Sequence, residues 1–186
     1  MALLSVKNLN ITYKNKEKEV YAVDDISFDM EKGDSLGIVG ESGSGKSTLA
    51  MGILRLLPPK STEITGTALF KDTDLLGISQ EEFNKLKWKE ISVVFQKSMN
   101  TLSPIHKIGD QLEDIYRVHE TKASKEEIKA RVLELFKLVN LSDRVYNIYP
   151  HELSGGMLQR TSIALSLLHN PELIVLDEAK TINCIR

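Results

Sequence analysis

The chain has 186 residues, of which 41% are apolar, enough to form the core of one ordinary domain with a small subdomain. Its formal net charge of -2, with acidic and basic residues interspersed, excludes a global electrostatic attraction to nucleic acid or to an anionic membrane. A single cysteine, Cys184, excludes an internal disulfide, and no apolar run is long enough to span a bilayer. Residues 1–6 are too short for a signal peptide, so we expect a cytoplasmic protein.

The chain is predicted to begin with an antiparallel hairpin. Apolar and polar residues alternate over residues 3–13 and again over residues 20–30, with a charged turn between them. Tyr13 ends the first strand, where its ring could stack on an adenine ring. From its position alone, an ordinary half-exposed strand tyrosine is the favoured interpretation.

Residues 40–48 match the phosphate-loop pattern G-x-x-x-x-G-K-[ST]. An apolar run over residues 36–39 precedes them and is predicted to be a strand. Apolar residues at helical spacing over residues 49–57 follow, and Pro58 and Pro59 are expected to end that helix. The strand, loop and helix context that the motif requires is therefore predicted, and it indicates a phosphate site.

The chemistry of this motif is local. Glycines at positions 40, 43 and 45 let successive backbone N–H groups turn inward around an anion, at the positive end of the helix dipole. Lys46 would lie on the β and γ phosphates, while the Ser47 hydroxyl would ligate Mg²⁺. Thr48 is expected to support the same loop.

The middle of the chain is predicted to be strand, helix and then a helical region. Residues 64–70 and 91–95 have strand patterns, the second ending at Gln96, and residues 80–88 and 109–119 have helical patterns. Position alone favours a plain loop amide for Gln96 over a metal or water contact. Ser124 and Glu127 form a capping box before an amphipathic helix, which predicts the core of a small helical subdomain.

Two further segments are candidates for phosphate chemistry. Ser154 is placed as the N-cap of a helix whose first residues, Gly155 and Gly156, leave its amides bare, so either an anion site or a plain cap is possible there. The apolar strand over residues 173–176 ends in Asp177 and Glu178. Two adjacent carboxylates at the end of a buried strand can have different roles. Asp177 would bind in the magnesium shell, and Glu178 would orient or deprotonate a water.

These motifs, in this order, resemble those of the ATP-binding cassette ATPases, and the resemblance extends over residues 3–178. The segment 153–156, Leu-Ser-Gly-Gly, distinguishes that family from other phosphate-loop proteins, although Met157 replaces the commoner glutamine. Four stretches look like the ATPases of bacterial oligopeptide, dipeptide and nickel importers: residues 39–47, 102–104, 108–111 and 149–160.

The resemblance implies an α/β fold, with a phosphate-loop NTPase core, an antiparallel β subdomain and a helical subdomain. Residues 1–186 would form one incomplete nucleotide-binding domain. Within it, residues 1–95 would hold the nucleotide-binding core and β subdomain. Residues 96–153 would hold the loop that begins at Gln96 and the helical subdomain. Residues 154–186 would hold the signature helix, which follows the Leu-Ser-Gly-Gly segment, and the strand that ends in Asp177 and Glu178.

The resemblance also assigns roles to residues, and it reverses the interpretation of Tyr13 and Gln96. The catalytic residues would be Lys46, Gln96 and Glu178, and the metal ligands Ser47, Gln96 and Asp177. Gln96 would sense the γ-phosphate and contact the membrane subunit. The residues that would bind ATP are Tyr13, Gly40, Ser42, Gly43, Ser44, Gly45, Lys46, Ser47, Thr48, Ser154, Gly155 and Gly156.

The implied function is ATP hydrolysis with Mg²⁺, coupled to import of peptides or nickel at the cytoplasmic face of a bacterial membrane. The implied partners are a second ATPase subunit, which shares two ATP molecules with the first, transmembrane permease subunits and, indirectly, an extracytoplasmic solute-binding protein, but no nucleic acid. The alternatives are a nucleotide-binding fragment with little or no hydrolysis, and a soluble ATPase of the same family without a transport role.

The last residues depart from the family pattern. Asn183 and Cys184 stand where the family has Leu and Asp, and the later histidine that contacts the γ-phosphate is absent from the sequence. In the family, the strand leading to that histidine lies between the phosphate-loop strand and the Asp-Glu strand. We therefore expect a sheet with a central gap, a truncated or frameshifted gene product, and weak or absent ATPase activity in isolation.

Overall fold

The computed structural model describes residues 2–15, 18–94 and 102–177. It divides into two compact units, residues 1–84 and residues 85–186, each with its own architecture. Gln96, Glu178, Asn183 and Cys184 lie outside the described residues. The three-part division of the domain at residues 95 and 153 stays a prediction.

The first unit is built on an antiparallel sheet of four strands in the order β2-β1-β3-β4. The strands are β1 (Leu4–Lys14), β2 (Glu19–Met30), β3 (Thr62–Phe70) and β4 (Thr73–Asp74). Helix α1 (Lys46–Ile53) lies within this unit, and α2 (Gln80–Leu86) begins in it. Val6, Leu9 and Ile11 of β1 are fully buried because β1 is flanked by β2 and β3 and faces the core. The predicted hairpin is confirmed, with Leu4 opposite Met30 and Tyr13 opposite Val20.

The strand predicted before the phosphate loop is wrong for this structure. Residues 34–40 form no strand in the described part of the chain, and the exposed fractions are 48% for Leu36, 47% for Ile38 and 95% for Val39. An apolar pattern favours a strand, but a strand forms only where a neighbour supplies hydrogen bonds, and no described strand pairs with this segment.

Helix α1 also ends earlier than Pro58, at Ile53. The Arg55 N–H donates to the Gly52 carbonyl and the Leu56 N–H to the Met51 carbonyl, while Arg55 has a left-handed φ of 53°. This is the Schellman arrangement, which closes a helix by satisfying its last carbonyl groups. The prolines therefore lie beyond a helix that has already ended.

The second unit combines three helices with a parallel pair of strands. Its helices are α3 (Ile108–His119), α4 (Lys125–Leu138) and α5 (Gly155–Ser166), and its strands are β5 (Ile91–Val94) and β6 (Leu173–Leu176), paired from Ile91–Leu173 to Val94–Leu176. Two short 3₁₀ helices lie between α4 and α5. The apolar faces of the helices pack into one core that includes Phe136 and Ile163.

The capping box predicted for α4 is confirmed. The Glu127 N–H donates to Ser124 Oγ at 3.2 Å, and the Ser124 N–H donates to Glu127 Oε2 at 2.8 Å. The apolar residues of α4 that were predicted to face a core are buried there: Ile128, Val132, Leu135 and Phe136, with Val139 at its end. Among the helices of the described residues, none has the length and apolar character needed to cross a membrane.

Candidate functional site

The phosphate-loop motif forms a tight loop closed by its own lysine. Lys46 Nζ donates to the carbonyl oxygens of Gly40 at 2.8 Å and Glu41 at 2.6 Å, and it lies 3.4 Å from Ser44 Oγ. The ammonium group is therefore held over the loop by neutral oxygen acceptors. A phosphate oxygen that binds there would meet a full positive charge.

Two glycines of the loop, Gly43 and Gly45, are required by its backbone geometry. Gly45 is the N-cap of α1 with a left-handed φ of 88°, and a Cβ there would collide with the Ala22 carbonyl oxygen of β2. Gly43 also has a positive φ, of 83°, and a Cβ on Gly40 would come within 2.8 Å of Ser44 Oγ. The backbone conformation and the close approach to β2 both exclude a side chain at position 45.

The start of α1 has the properties of an anion site. The N–H groups of a helix's first turn point away from the helix's own carbonyls, the N-cap Gly45 has no side chain, and the first turn of α1 contains no acidic residue. The uncompensated positive end of the helix dipole therefore faces the loop that holds the Lys46 ammonium. Ser42, Ser44, Ser47 and Thr48 lie in this loop and first turn, so the structure gathers them with the predicted glycines.

Tyr13 lies beside the same loop. It is the penultimate residue of β1, and its Oη is 3.3 Å from Thr48 Oγ1 in the first turn of α1. Tyr13 is partly buried, whereas Tyr21 of β2 is 72% exposed. The motif had indicated Thr48 only as support for the loop, and its contact with Tyr13 is not visible in the sequence, because the two residues are brought together by the fold.

In the second unit, Ser154 is the N-cap of α5, as predicted. Its Oγ accepts a hydrogen bond from the Met157 N–H at 3.3 Å. A Cβ on Gly155 or Gly156 would meet nothing within 4 Å, so this helix start is open on its outer side. The structure therefore confirms the cap, while binding of an anion there stays a prediction.

Arg160, to which the sequence motifs assign no role, holds the start of α5 in place. Its Nε donates to the Gly156 carbonyl at 3.3 Å and its Nη1 donates to the Asn140 carbonyl at 2.8 Å. Asn140 has a left-handed φ of 55° just after α4. Arg160 thus ties the first turn of α5 to the end of α4, and its four-residue spacing from Gly156 on a helix was the available signal.

Gln111 was noted only as part of a stretch that resembles the importer ATPases. Its Oε1 accepts from the Ser103 N–H at 2.7 Å, and its Nε2 donates to the carbonyl oxygens of Ser103 at 3.0 Å and His106 at 2.9 Å. One amide side chain therefore closes the loop that precedes α3. Nearby, burial and a hydrogen bond to Glu113 raise the pKa of the Tyr146 hydroxyl well above its usual value.

Asp177 directly follows β6. Its N–H donates to the Val94 carbonyl at 3.0 Å, which continues the parallel pairing of β5 and β6 by one residue. Ser47 belongs to the first unit and Asp177 to the second, while Gln96 and Glu178 lie outside the described residues, so this metal and water site stays a prediction. Among the described residues, no three His, Cys, Asp or Glu side chains cluster in a way that could hold a metal ion.

Comparison with curated proteins finds relatives among peptide-transport subunits. The chain is 42% identical over 182 residues to the oligopeptide transport ATP-binding protein OppD of Bacillus subtilis, covering 96% of this chain and 51% of the relative. It is 40% identical over 181 residues to the dipeptide transport ATP-binding protein DppD of Lactococcus lactis, covering 96% and 52%. The chain therefore spans about half the length of the curated relatives it matches.

Solved structures and a family model give the same result. The fold matches the ATP-binding cassette MJ0796 in a dimeric post-hydrolysis state bound to ADP and Pi, with a TM-score of 0.84 and 31% identity over 98% of this chain and 76% of that one. It also matches cbiO1 of Clostridium perfringens, part of the transporter complex cbiONQ. The TM-score is 0.74 and the identity 27%, over 95% of this chain and 65% of that one. The model of the ABC transporter family matches residues 23–181. The chain has a phosphate loop that leads into a glycine-capped helix and a second helix capped by Ser154. It belongs to the ABC transporter family, as an ATPase domain.

Proposed function

We propose that this chain is the ATP-hydrolysing, energy-coupling subunit of a bacterial importer of peptides or nickel. The observation that carries the proposal is the phosphate loop, where the Lys46 ammonium lies over the loop at the start of a helix with no acidic residue in its first turn. Membership of the ABC transporter family supports it, as does similarity to proteins named for oligopeptide and dipeptide transport. Those relatives favour peptides over nickel as the imported solute.

In this proposal the first unit holds the nucleotide. Lys46 and the backbone N–H groups of the loop bind the β and γ phosphates, because a compact positive charge and a helix N-terminus meet there. Tyr13 offers its ring to the adenine. Ser154, Gly155 and Gly156 grip the γ-phosphate of the ATP held by a second subunit.

Hydrolysis is assigned to the carboxylates after β6. Glu178 orients or deprotonates a water, which attacks the γ-phosphorus in line as the bond to the β-phosphate oxygen breaks, giving ADP and phosphate. Ser47, Gln96 and Asp177 would hold Mg²⁺, and a hydroxyl, an amide and one carboxylate are oxygen donors of the kind that this ion takes alongside phosphates and waters. When bound, the ion would neutralise charge on the phosphates.

The partners follow from this role. A second ATPase subunit, identical or homologous, would complete each site, and the similar cassette MJ0796 is a dimer in its solved structures. Transmembrane permease subunits would convert dimer closure into transport, with a solute-binding protein acting on them from outside. The chain would then work at the cytoplasmic face of the membrane and bind no nucleic acid.

One observation favours a second candidate, nucleotide binding without turnover. Residues 34–40, which lead into the phosphate loop, form no strand in the described structure, so the loop lacks the rigid support that a paired strand gives. Binding needs the loop and helix, whereas hydrolysis also needs a water and carboxylate placed within a fraction of an ångström.

The first test is Mg-ATP binding by isothermal titration calorimetry to the wild-type chain, Lys46→Ala and Lys60→Ala. Lys60 is an exposed lysine of the same unit and serves as the matched control for loss of one charge. We expect the wild type and Lys60→Ala to bind equally and Lys46→Ala to lose at least about tenfold in affinity, since a charge-assisted phosphate contact is removed. Equal binding by all three proteins, or by none, would reject the proposed site.

A phosphate-release assay then separates the two candidates. Turnover by the wild type that is abolished in Glu178→Gln supports the hydrolytic subunit. Lys46-dependent binding with no phosphate release supports the binding-only candidate.

A further inference from the structure

Among the described residues, Tyr13 of the β-sheet and Thr48 of the phosphate-loop helix are two candidate nucleotide-binding residues whose side chains contact each other. Tyr13 Oη and Thr48 Oγ1 lie 3.3 Å apart, a weak but real hydrogen-bond distance between two hydroxyl groups, either of which can donate. Both residues are partly buried. The pair therefore links Tyr13, the predicted base contact, to Thr48, a predicted ATP-binding residue of the phosphate loop.

The surrounding backbone makes this link a fixed one. Tyr13 is paired on both sides, with Val20 of β2 and Thr62 of β3, so its Cα cannot move without disturbing two strands. The start of α1 approaches β2 so closely that only glycine fits at position 45, against the Ala22 carbonyl. Because the backbone is fixed both at Tyr13 and at the start of α1, the position of the Tyr13 ring depends on the rotation of its side chain.

A tyrosine that is not held in this way is present in the same sheet. Tyr21 of β2 is 72% exposed, and its hydroxyl donates to Glu19 Oε2 over a long distance of 3.5 Å. An exposed side chain of this kind samples several rotamers, and ordering it on binding costs free energy. The contact with Thr48 already orders the Tyr13 side chain, so binding a ligand would cost less free energy in ordering Tyr13.

We infer that Thr48 is a positioning residue that acts through Tyr13: the hydroxyl contact presets the Tyr13 ring at a fixed distance from the phosphate loop and so favours a nucleoside triphosphate over a phosphate chain without a base. This inference rests on the proposed function, because it needs a triphosphate in the loop. It goes beyond it by assigning the Thr48 side chain to recognition of the base moiety, while the loop itself binds phosphates.

The test compares binding of Mg-ATP and of magnesium tripolyphosphate, which has the phosphates but no base. Tyr13→Phe keeps the ring and removes the hydroxyl, Thr48→Val keeps the shape and removes the hydroxyl, and Thr48→Ser keeps the hydroxyl. We expect Tyr13→Phe and Thr48→Val each to lower the preference for ATP over tripolyphosphate roughly threefold to tenfold, the effect of one neutral hydrogen bond. Thr48→Ser should retain most of the preference.

The double variant Tyr13→Phe/Thr48→Val distinguishes a shared contact from two separate effects. If the hydroxyl groups act on each other, the double variant should lose no more preference than either single variant. Tyr21→Phe is the matched control in the same sheet and should bind as the wild type does. Thermal unfolding of each variant verifies that it is folded.

Three results would overturn the inference. These are an unchanged preference in Tyr13→Phe, additive losses in the double variant, or a loss in Thr48→Val that affects tripolyphosphate as much as ATP. They differ from failure of the proposed function, in which the wild type binds neither ligand or in which Lys46→Ala binds both normally. That failure would remove the inference along with the function on which it rests.

Discussion

At the scale of single residues, the second unit depends on a few long polar side chains that satisfy helix ends. Arg131 of α4 donates from Nε to the Leu168 carbonyl at 3.3 Å and from Nη2 to the Leu167 carbonyl at 3.1 Å, and it also contacts Asn170. These carbonyls belong to the end of α5, where a helix has unsatisfied acceptors and a partial negative charge. Arg131 therefore caps the C-terminal end of α5, the helix whose N-cap is Ser154.

Replacing Arg131 tests this cap. Arg131→Met keeps the apolar stem but removes the guanidinium donors to the Leu167 and Leu168 carbonyls, of which Leu167 still accepts from the Asn170 N–H at 3.1 Å. We expect the free energy of unfolding to fall by about 1–3 kcal/mol, measured by urea denaturation. Glu134→Gln removes only the partly exposed ion pair between Glu134 and Arg131 at 2.8 Å, and it should change stability by less than about 1 kcal/mol. Equal losses in the two variants would contradict the capping role.

A second residue-scale feature is His169, which follows α5. Its ring stacks on Tyr116 with centroids 4.8 Å apart, and meets the His119 ring edge-on at 5.2 Å. Among the described residues, its buried Nε2 has no hydrogen-bond partner. Burial first, and then the nearby His119, lower the pKa of His169, with smaller opposing effects of the Ile115 backbone and Glu120 and a smaller lowering by Lys89.

This shift predicts a loss of stability in mild acid. Because the folded pKa lies below the usual value near 6.5, the unfolded chain binds the proton more readily, so the stabilisation is present above that value and is lost as the pH falls towards the folded pKa. Urea midpoints between pH 7.5 and 5 should therefore fall more steeply for the wild type than for His169→Gln. His106→Gln, at an exposed histidine, should follow the wild type. Parallel slopes in the wild type and His169→Gln would contradict this prediction.

At the scale of elements, the sequence predicts the helices and strands that depend on neighbouring residues. It does not predict the structure that depends on residues far away in the chain. The hairpin and the capped helix α4 follow from alternation, helical spacing and the Ser124–Glu127 box, all within a few residues, and the structure confirms them. Residues 36–39 have an equally strong apolar pattern but form no strand, since pairing depends on a partner elsewhere. The end of α1 was also missed, because Arg55 takes a left-handed conformation that glycine or asparagine normally signals.

Strand β3 offers a prediction at this scale. The Thr62 Oγ1 is buried and has no hydrogen-bond partner among the described residues, although it lies in a strand, where a β-branched apolar residue packs well. We expect Thr62→Val to raise the free energy of unfolding by about 1 kcal/mol, because it removes an unsatisfied hydroxyl at nearly constant shape. Thr65→Val, at an exposed position of the same strand, is the control and should change little. A loss of stability in Thr62→Val would mean that the hydroxyl is satisfied.

At the scale of the whole molecule, each of the two units contains some of the candidate site residues. Tyr13 and residues 40–48 belong to the first unit, while residues 154–156 and Asp177 belong to the second. The motifs and their order were predictable from sequence because each is a short local pattern. The contacts of Tyr13 with Thr48 and of Arg160 with Asn140 were not, because each joins residues that are distant in the chain.

The charge of the whole chain leads to the last prediction. A net charge of -2 at neutral pH and a pI near 6.1 leave little electrostatic repulsion between molecules near pH 6. Leu36, Ile38 and Val39 then form a run of exposed apolar side chains, which differs from the single exposed apolar residues that are normal on protein surfaces. We therefore expect self-association that is stronger at pH 6 than at pH 8, measured by sedimentation equilibrium.

Two aspartate variants separate the effect of this run from the effect of net charge. Val39→Asp and Val118→Asp each add one negative charge at a highly exposed valine, 95% and 69% exposed, but only Val39 lies in the run. If the apolar run drives association, Val39→Asp should lower the average mass at pH 6 clearly more than Val118→Asp does. Equal decreases would assign the association to low net charge alone, and a wild-type mass that is independent of pH would contradict both causes.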